Sequence, residues 1–480
     1  MTDSPRIGTD EWVAQADART ESYRGPTAPF RRGWDRTPVP MRFTALVLVA
    51  ASFPLTTDSD YFVRVGINTI VFALLALGLN VVVGFAGLLD LGFVAFFGFG
   101  AYLYAILSSD KFGLHLSTLA TMLLVIAATA LLGLLLGLPS WRLLGDYLAI
   151  VTLFFGQLFL VIVTNADRIT PPWRNEPVDF TGGPNGIAGV DPMSFFGIEI
   201  VSVTGYFYLS LIVFVVVMTS LYLVSESRTG RAWRALREDS LAAELLGTPV
   251  NRLKLLAFMF GAGVAGLTGT VFAAVQTGVF PQNFEIPLLI TIYAMVILGG
   301  AGSLSGVVAG AALITIVLEV LRSPDDARLI FYGLVLLMLA LLLRPWWRFA
   351  AVIAGTVVFG LVVHEVVGAL RPTSTSGELV EAGGLADALE AWVLLPADPV
   401  QVGNFAFVAL VASAILLTRL RGWIRTVLLV PVLYLTVFVW ENRLVTEPSV
   451  TRLLLLGALL VVLMNARPQG LFGKPRVEIV

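Results

Sequence analysis

The sequence predicts an all-α, polytopic helical membrane protein. The chain of 480 residues is 57% hydrophobic and only 13% charged, whereas a soluble domain carries about 25% charged residues. Apolar runs of about 17 to 25 residues recur along most of its length, which is what a helix needs to cross a bilayer. The segments joining these runs divide their basic residues unevenly, as cytoplasmic and outer loops do.

Residues 1–42 mix acidic and basic side chains with Pro and Gly and hold no apolar h-region. They read as a disordered cytoplasmic tail and not as a signal peptide. Spans are expected near 43–57, 61–83, 89–108, 114–138, 146–165, 205–225, 255–279, 286–301, 304–321 and 329–344, and a second group near 349–366, 404–419, 424–441 and 452–466. That makes about fourteen at bilayer length. The short, Gly-rich stretches 89–108 and 286–321 suit re-entrant or half helices. With the N-terminus inside and spans alternating, inside segments hold 22 Lys and Arg and outside segments 8, Arg64 lying within a span. That bias predicts both termini in the cytoplasm.

The chain divides into a core at 43–345, added spans at 346–466 with a polar outer loop at 367–403, and a cytoplasmic tail at 467–480. One echo links the two span groups. RLIFYGLVLLMLALLLRP begins at Arg328 and RLLLLGALLVVLMNARP at Arg452, each with Gly five residues on and each ending in Arg-Pro. Few charges punctuate the added spans, with His364 and Glu365 near an outer end, so they are expected to be peripheral to any pathway.

Composition also excludes. A net charge of −2 argues against nucleic acid as a partner. There are no cysteines, so disulfides and thiolate metal sites are out. The two histidines, His115 and His364, lie in different regions and have no metal-ligand spacing, so no metal or cofactor is expected. None of the three lysines sits in a GxxxxGK[ST] frame, and no nucleophile elbow or HExxH is present. The chain is thus expected to be neither an ATPase nor another enzyme.

One polar segment concentrates surface chemistry. Residues 226–254 hold six basic and four acidic side chains between two apolar runs. Arg231, Arg234 and Arg237, at spacings of three, favour a helix. Asp239, after Glu238, is placed to cap a second short helix, SLAAELL, which contains Glu244. Gly247 stops it and Pro249 prevents continuation. Ala242, Ala243, Leu245 and Leu246 would give a small apolar face. The segment reads as a rigid knob for a cytoplasmic partner; the plainer alternative is a loop obeying only the positive-inside rule.

At these residues the chain resembles a known family. RTGRAWRALREDSLAAELLGTPVNRLKLLAF is similar to the coupling loop of branched-chain amino acid permeases of the LivM type, in ABC importers. LALGLNVVVGFAGLLDLGFVAFFGFGAY from Leu75, GDYLAIVTLFFG from Gly145, TGGPNGI at 181–187, VILGGAGSLSGVVAGA from Val296 and RPQGLFG from Arg467 agree in order and spacing. One departure stands out: the family's Gly-Glu pair, followed by Ile/Val and Arg, is replaced by Gly156, Gln157, Leu158 and Phe159.

The resemblance implies a permease subunit in a prokaryotic cytoplasmic (inner) membrane. Its partners would be two cytoplasmic ATPase subunits, a second homologous permease and an extracytoplasmic substrate-binding protein. It implies ATPase coupling through the knob. From the residues themselves, a translocation pathway is expected near Asn80, Gly84, Gly87, Asp90 and Gln157, since the glycines thin a helix face and Asn80 and Asp90 are the polar groups embedded in that apolar run. A carboxylate at membrane depth is costly and by default functional; alternatively Asp90 caps the next helix. Thr181, Gly182, Gly183, Asn185 and Gly186 would form an ordered outer loop for docking or gate support, or merely a turn cluster. Two rivals remain: a urea or amide permease of the same architecture, and an ion-coupled secondary transporter using Asp90.

Overall fold

The computed structural model describes residues 39–470 apart from 58, 142–145, 171–176, 196, 344, 372–373, 376, 378–384, 421, 447–450, 452, 459 and 462–469. The expected tails, 1–42 and 467–480, fall almost wholly outside the described residues, as do parts of the outer segments 166–204 and 367–403.

Helices overlie the predicted spans. They are α1 (Val39–Ser52), α2 (Asp60–Leu79), α3 (Phe93–Leu107), α4 (Thr118–Gly137), α5 (Asp146–Asn165) and α6 (Val203–Glu226). Then come α7 (Arg228–Glu238), α8 (Ser240–Leu245), α9 (Val250–Gln276), α10 (Ile286–Gly299), α11 (Leu304–Val320) and α12 (Pro324–Leu342). The second group is α13 (Trp346–Leu370), α14 (Leu385–Glu390), α15 (Pro399–Arg419) and α16 (Trp423–Thr446). Among the described residues, nine helices are long and apolar enough to cross a membrane, and three shorter apolar ones lie at Phe43–Leu55, Phe93–Leu107 and Leu304–Val320. The described residues of 451–461 are helical.

Several boundaries differ from the sequence reading. The span expected from 89 starts at Phe93, because Asp90 turns back to accept the Gly92 N–H at 2.9 Å. The span expected from 114 starts at Thr118. The span expected from 255 starts at Val250, directly after Pro249, so Arg252 and Lys254 belong to a long helix and not to the loop 226–254. Apolar composition alone cannot mark where a helix breaks inside an apolar run.

α9 is the central post, packed against α4, α3 and α2. Its small residues permit this. A Cβ on Gly266 would lie 2.2 Å from Thr129 Oγ1, and one on Gly100 of α3 would lie 2.5 Å from the Gly266 Cα. Lipid offers no hydrophobic drive between helices, so such close backbone approach supplies the packing. α2 does not end at Leu79 but continues as a π-helical segment, Asn80–Phe85. Such bulges are rare and are found mostly at functional sites.

On the outer side, β1 (Ile187–Ala188) pairs antiparallel with β4 (Gly278–Val279), in register Ile187 with Val279. β2 (Ser194–Phe195) pairs with β3 (Ile198–Glu199) as a small hairpin.

α13 and α15 each pack on α16, with a cluster of Leu389, Val393, Leu395, Ala406, Val437 and Phe438 separate from the main core. The two bodies meet at α12. There Arg328 Nε donates to Glu441 Oε2 at 3.0 Å with both side chains fully buried, and Tyr332 Oη donates to Glu441 Oε1 at 2.6 Å. The Phe331 and Trp440 rings stack beside them, centroids 4.1 Å apart. Glu441 is thus a buried charge in the added helices that the sequence reading missed, since it fell on the last residue of the span expected at 424–441.

Removing one member of a buried ion pair costs about 3–5 kcal/mol, whereas replacing both by apolar groups is often neutral. Glu441→Ala is therefore expected to lower the unfolding temperature of the detergent-solubilised protein clearly. The double variant Arg328→Met with Glu441→Leu should recover most of that loss. A wild-type melting curve for Glu441→Ala would show that the pair does not hold the two bodies together.

Candidate functional site

The segment between α6 and α9 forms the two-helix knob that local chemistry predicted. Ser227 caps α7 through the Gly230 N–H. The carboxylate of Asp239 accepts from the N–H groups of Leu241 and Ala242 at 2.9 and 3.0 Å and so starts α8. Gly247, at φ +82°, ends it. The apolar face is divided. Ala243 is buried against the core, whereas Leu241, Leu245 and Leu246 are 66%, 81% and 86% exposed at the tip. Glu238, Ala242 and Glu244 are exposed beside them.

The knob is fixed to the membrane core by its other face. Trp233 is fully buried, donates to the Leu253 carbonyl at 2.9 Å and stacks on Phe85 of the π-segment. The three arginines each find backbone oxygens. Arg231 donates to Glu226 O at 2.8 Å and Arg234 to Ser225 O at 3.0 Å, both at the end of α6. Arg237 reaches furthest, to Gly84 O at 2.6 Å and Ala301 O at 3.2 Å. The last carbonyls of a helix have no intrahelical donor and carry partial negative charge, so guanidinium groups suit them.

Arg237 therefore joins three elements: the knob, the end of the π-segment, and the turn between α10 and α11. A fourth bond closes the node, the Gly302 N–H donating to Asn80 Oδ1 at 2.8 Å. The fit is tight. A Cβ on Gly84 would lie 1.9 Å from Asn80 Oδ1, and Gly302, at φ +88°, would place one 2.3 Å from Arg237 Nη1. Gly87, at φ +69°, faces Arg237 in the same way. Sequence reasoning found the residues on each side but not their meeting. GGAGS at 299–303 marked the turn, yet nothing local pointed it at Arg237.

The residues expected along the pathway do not form one cluster. Asn80, Gly84 and Gly87 gather at the node. Asp90 lies in a second junction, fully buried, where Tyr293 Oη of α10 donates to Asp90 O at 2.6 Å and Thr152 Oγ1 of α5 accepts the Leu91 N–H at 2.9 Å. Its Oδ2 has no hydrogen-bond partner among the described residues. Gln157 is exposed on α5. Sequence reasoning did not name Tyr293 or Thr152.

The loop at 181–187 is held by local bonds and tight glycine turns. Thr181 Oγ1 donates to Val163 O at 2.7 Å and accepts the Gly183 N–H at 3.3 Å. Gly182, Gly183 and Gly186 all have positive φ, and a Cβ on Gly182 would collide with Gly186 O at 1.8 Å. Asn185 is exposed. Lys111 and His115 brace this loop and its neighbours through three ion pairs. Lys111 binds Asp179 at 2.8 Å. His115 binds Asp191 through Nδ1 at 2.6 Å and Asp110 through Nε2 at 3.3 Å.

Comparison with known proteins agrees with this arrangement. Residues 61–341 match the family described as branched-chain amino acid transport system, permease component. The chain belongs to that permease family. The permease LivM of a high-affinity branched-chain amino acid transport system of Salmonella typhimurium is 36% identical over 324 residues, covering 63% of this chain and 72% of the relative. LivM of Escherichia coli is equally similar. BraD of Pseudomonas aeruginosa, also a branched-chain amino acid permease, is 27% identical over 252 residues, 51% of this chain and 79% of the relative. LsrC, an autoinducer 2 import permease of Salmonella paratyphi B, is 27% identical over 333 residues, 67% of this chain and 85% of the relative. No solved structure matches the chain.

The matched region of this permease holds the knob, the node, the Asp90 junction and the outer loop, and it ends within α12. Of these, the His115 pairing gives the outer side a measurable pH dependence. The hydrogen bond to Asp191, then its charge, raise the imidazole pKa above the ordinary 6.5. A group whose folded pKa is raised stabilises the fold fully below its unfolded value and loses that contribution as pH rises through the folded one. Hydrogen exchange in 108–117 and 189–193 is therefore expected to be slowest at and below pH 6.5 and to quicken beyond its intrinsic rate as pH climbs through the raised value. His115→Gln should flatten that profile; a profile unchanged by the substitution would remove His115 from the explanation.

Proposed function

We propose that this chain is the membrane permease subunit of an ATP-driven importer, and that its solute is a branched-chain amino acid. It supplies part of the translocation pathway beside a second homologous permease. Two cytoplasmic ATPase subunits drive it, and an extracytoplasmic binding protein delivers the solute. Both termini are cytoplasmic, and the membrane is the inner membrane of a prokaryote.

One observation carries this reading most directly: a capped, rigid two-helix knob whose tip exposes Leu241, Leu245 and Leu246 while its base is pinned by Trp233 and Arg237. An apolar tip on a charged loop suits a protein partner. A loop that merely obeyed charge asymmetry would need no such anchoring. The lack of a phosphate-cradling motif in the sequence supports ATP hydrolysis by other chains. On the opposite side, the braced loop at Thr181–Gly186 suits docking of a delivered solute carrier. The solute follows from the LivM and BraD similarity, with LsrC a reminder that related permeases carry other solutes.

Alternating access then needs motion at the knob to reach the broken helices. Arg237 is placed for that, because a shift of α7 pulls on Gly84 and Ala301 together. Asp90 serves this reading as a joint between α5, α10 and the start of α3, not as an ion-coupling group.

The test is reconstitution with the ATPase, binding-protein and second permease subunits, with uptake of labelled leucine followed against urea and amide competitors. ATP-dependent leucine uptake, competed by isoleucine and valine, is expected. Uptake by the chain alone, driven by an ion gradient, would establish the secondary-transporter rival instead. Gly247→Trp should leave membrane levels normal and abolish uptake. A Cβ there meets nothing within 4 Å among the described residues, so the cost is about 1–2 kcal/mol of left-handed backbone strain plus obstruction of the docked partner. Full uptake by that variant would mean that the knob is not the docking element.

A further inference from the structure

The two Arg-Leu…Arg-Pro segments occupy different places. The first is α12. Its rings and its buried arginine face the added helices, through Phe331 on Trp440 and through Arg328 and Tyr332 on Glu441. Within 329–342, Leu339 is the one described hydrophobic residue that is buried, and it is outside the main core cluster. The second segment behaves otherwise. Leu456 is 1% exposed within the main core, and Leu460 packs against it. The chain therefore returns to the permease core after the added helices.

Where it returns is specific. Gly470, in the RPQGLFG ending, sits at φ +78° against the turn between α10 and α11. A Cβ there would lie 2.7 Å from both Gly300 N and Ile297 O, and 2.8 Å from the Gly300 Cα. Real Cβ atoms essentially never come so near backbone. The next two residues of that turn are Ala301, whose carbonyl accepts from Arg237, and Gly302, whose N–H donates to Asn80. The C-terminal segment and the knob thus hold one short turn at adjacent residues.

We propose that the C-terminal segment, through Gly470 against Gly300, is a positioning element of the coupling node. It fixes the Gly300–Gly302 turn, so that motion of the knob passes into α10 and α11 and is not dissipated in the turn. On this account the described residues of 451–461 together with Gly470, and not α12, complete the permease core. This deepens the permease reading and rests on it. A turn of three residues, two of them glycines with positive φ, is the softest link between Arg237 and the helices. The Gly300 N–H donates to Val296 O at 3.0 Å and the Ser303 N–H to Gly300 O at 3.1 Å, and the Gly470 contact adds a restraint from outside the turn.

The experiment uses the full assembly in proteoliposomes, with leucine uptake and ATP hydrolysis measured on the same vesicles. Gly470→Val combines a disfavoured φ with backbone overlap, and Gly470→Ala is a milder form. The expected result is that Gly470→Val assembles with the ATPase subunits, still hydrolyses ATP, and transports about fivefold or more less leucine per ATP, at the low end of ordinary coupling energies. Gly470→Ala should fall between it and wild type. Wild-type uptake per ATP in Gly470→Val would overturn the proposal, and so would uptake and hydrolysis falling in proportion, which is what a purely structural contact gives. Should Gly470→Val fail to reach the membrane, a photo-crosslinking residue at Ile297 in the otherwise unaltered chain decides. A crosslink to the peptide holding Gly470 supports the contact, and crosslinks only elsewhere refute it. Failure of the wild-type assembly to take up any solute with ATP would instead sink the permease reading, and this proposal with it.

Discussion

In a bilayer, backbone groups that leave a helix must find partners inside the protein, because no water is there to take them. This chain breaks its helices at the π-segment after α2 and at the turn between α10 and α11, and Arg237 donates to a carbonyl of each. Several other features follow. The Asn80 amide and the Arg237 guanidinium fill the space where side chains at Gly84 and Gly302 would be, and the stem of Arg237 crowds Gly87. Trp233 packs on Phe85 because α7 must lie close enough for Arg237 to reach. The knob is consequently part of the membrane structure, not an attachment to it.

The Asp90 junction applies the same rule to a different break. Between Phe85 and Phe93 the chain has no helix to satisfy it, and a tyrosine from α10, a threonine from α5 and the Asp90 carboxylate supply the bonds. Two neighbouring breaks are thus each bridged by side chains from distant helices, and the backbone groups there keep partners. Helices packed glycine to glycine, as α3 is on α9, have no side chains to unlock before they slide.

Much of this was legible in the sequence, for reasons of range. The spans were visible because lipid demands long apolar runs. The knob was visible because capping by Asp239 and termination at Gly247 are decided within a few residues. The outer loop was visible because Gly182 and Gly186 announce backbone that other residues avoid. What escaped depends on distant partners. The acceptors of Arg237 lie 153 and 64 residues away, and Tyr293 lies 203 from Asp90. Glu441 read as a residue at the edge of a span because its partner, Arg328, had been assigned to an outer loop. The grouping of Asn80 with Asp90 rested on closeness along the chain, whereas the fold sends one to Gly302 and the other to Tyr293. The π-segment has no compositional mark, since an extra residue in a helical turn changes no side chain.

The buried pair between α12 and α16 also bears on how the protein is made. Arg328 and Glu441 are 113 residues apart. At about 5–20 residues per second of synthesis, the arginine waits roughly 6–20 seconds for its carboxylate. A charge near the middle of an inserting helix costs about 2.5–3.5 kcal/mol, and less toward its end. During biogenesis α12 is therefore a poorly anchored helix until α16 arrives, and the insertion machinery must hold it or let its end ride in the interface. A protein with this plan closes the contact between α12 and α16 only late in synthesis.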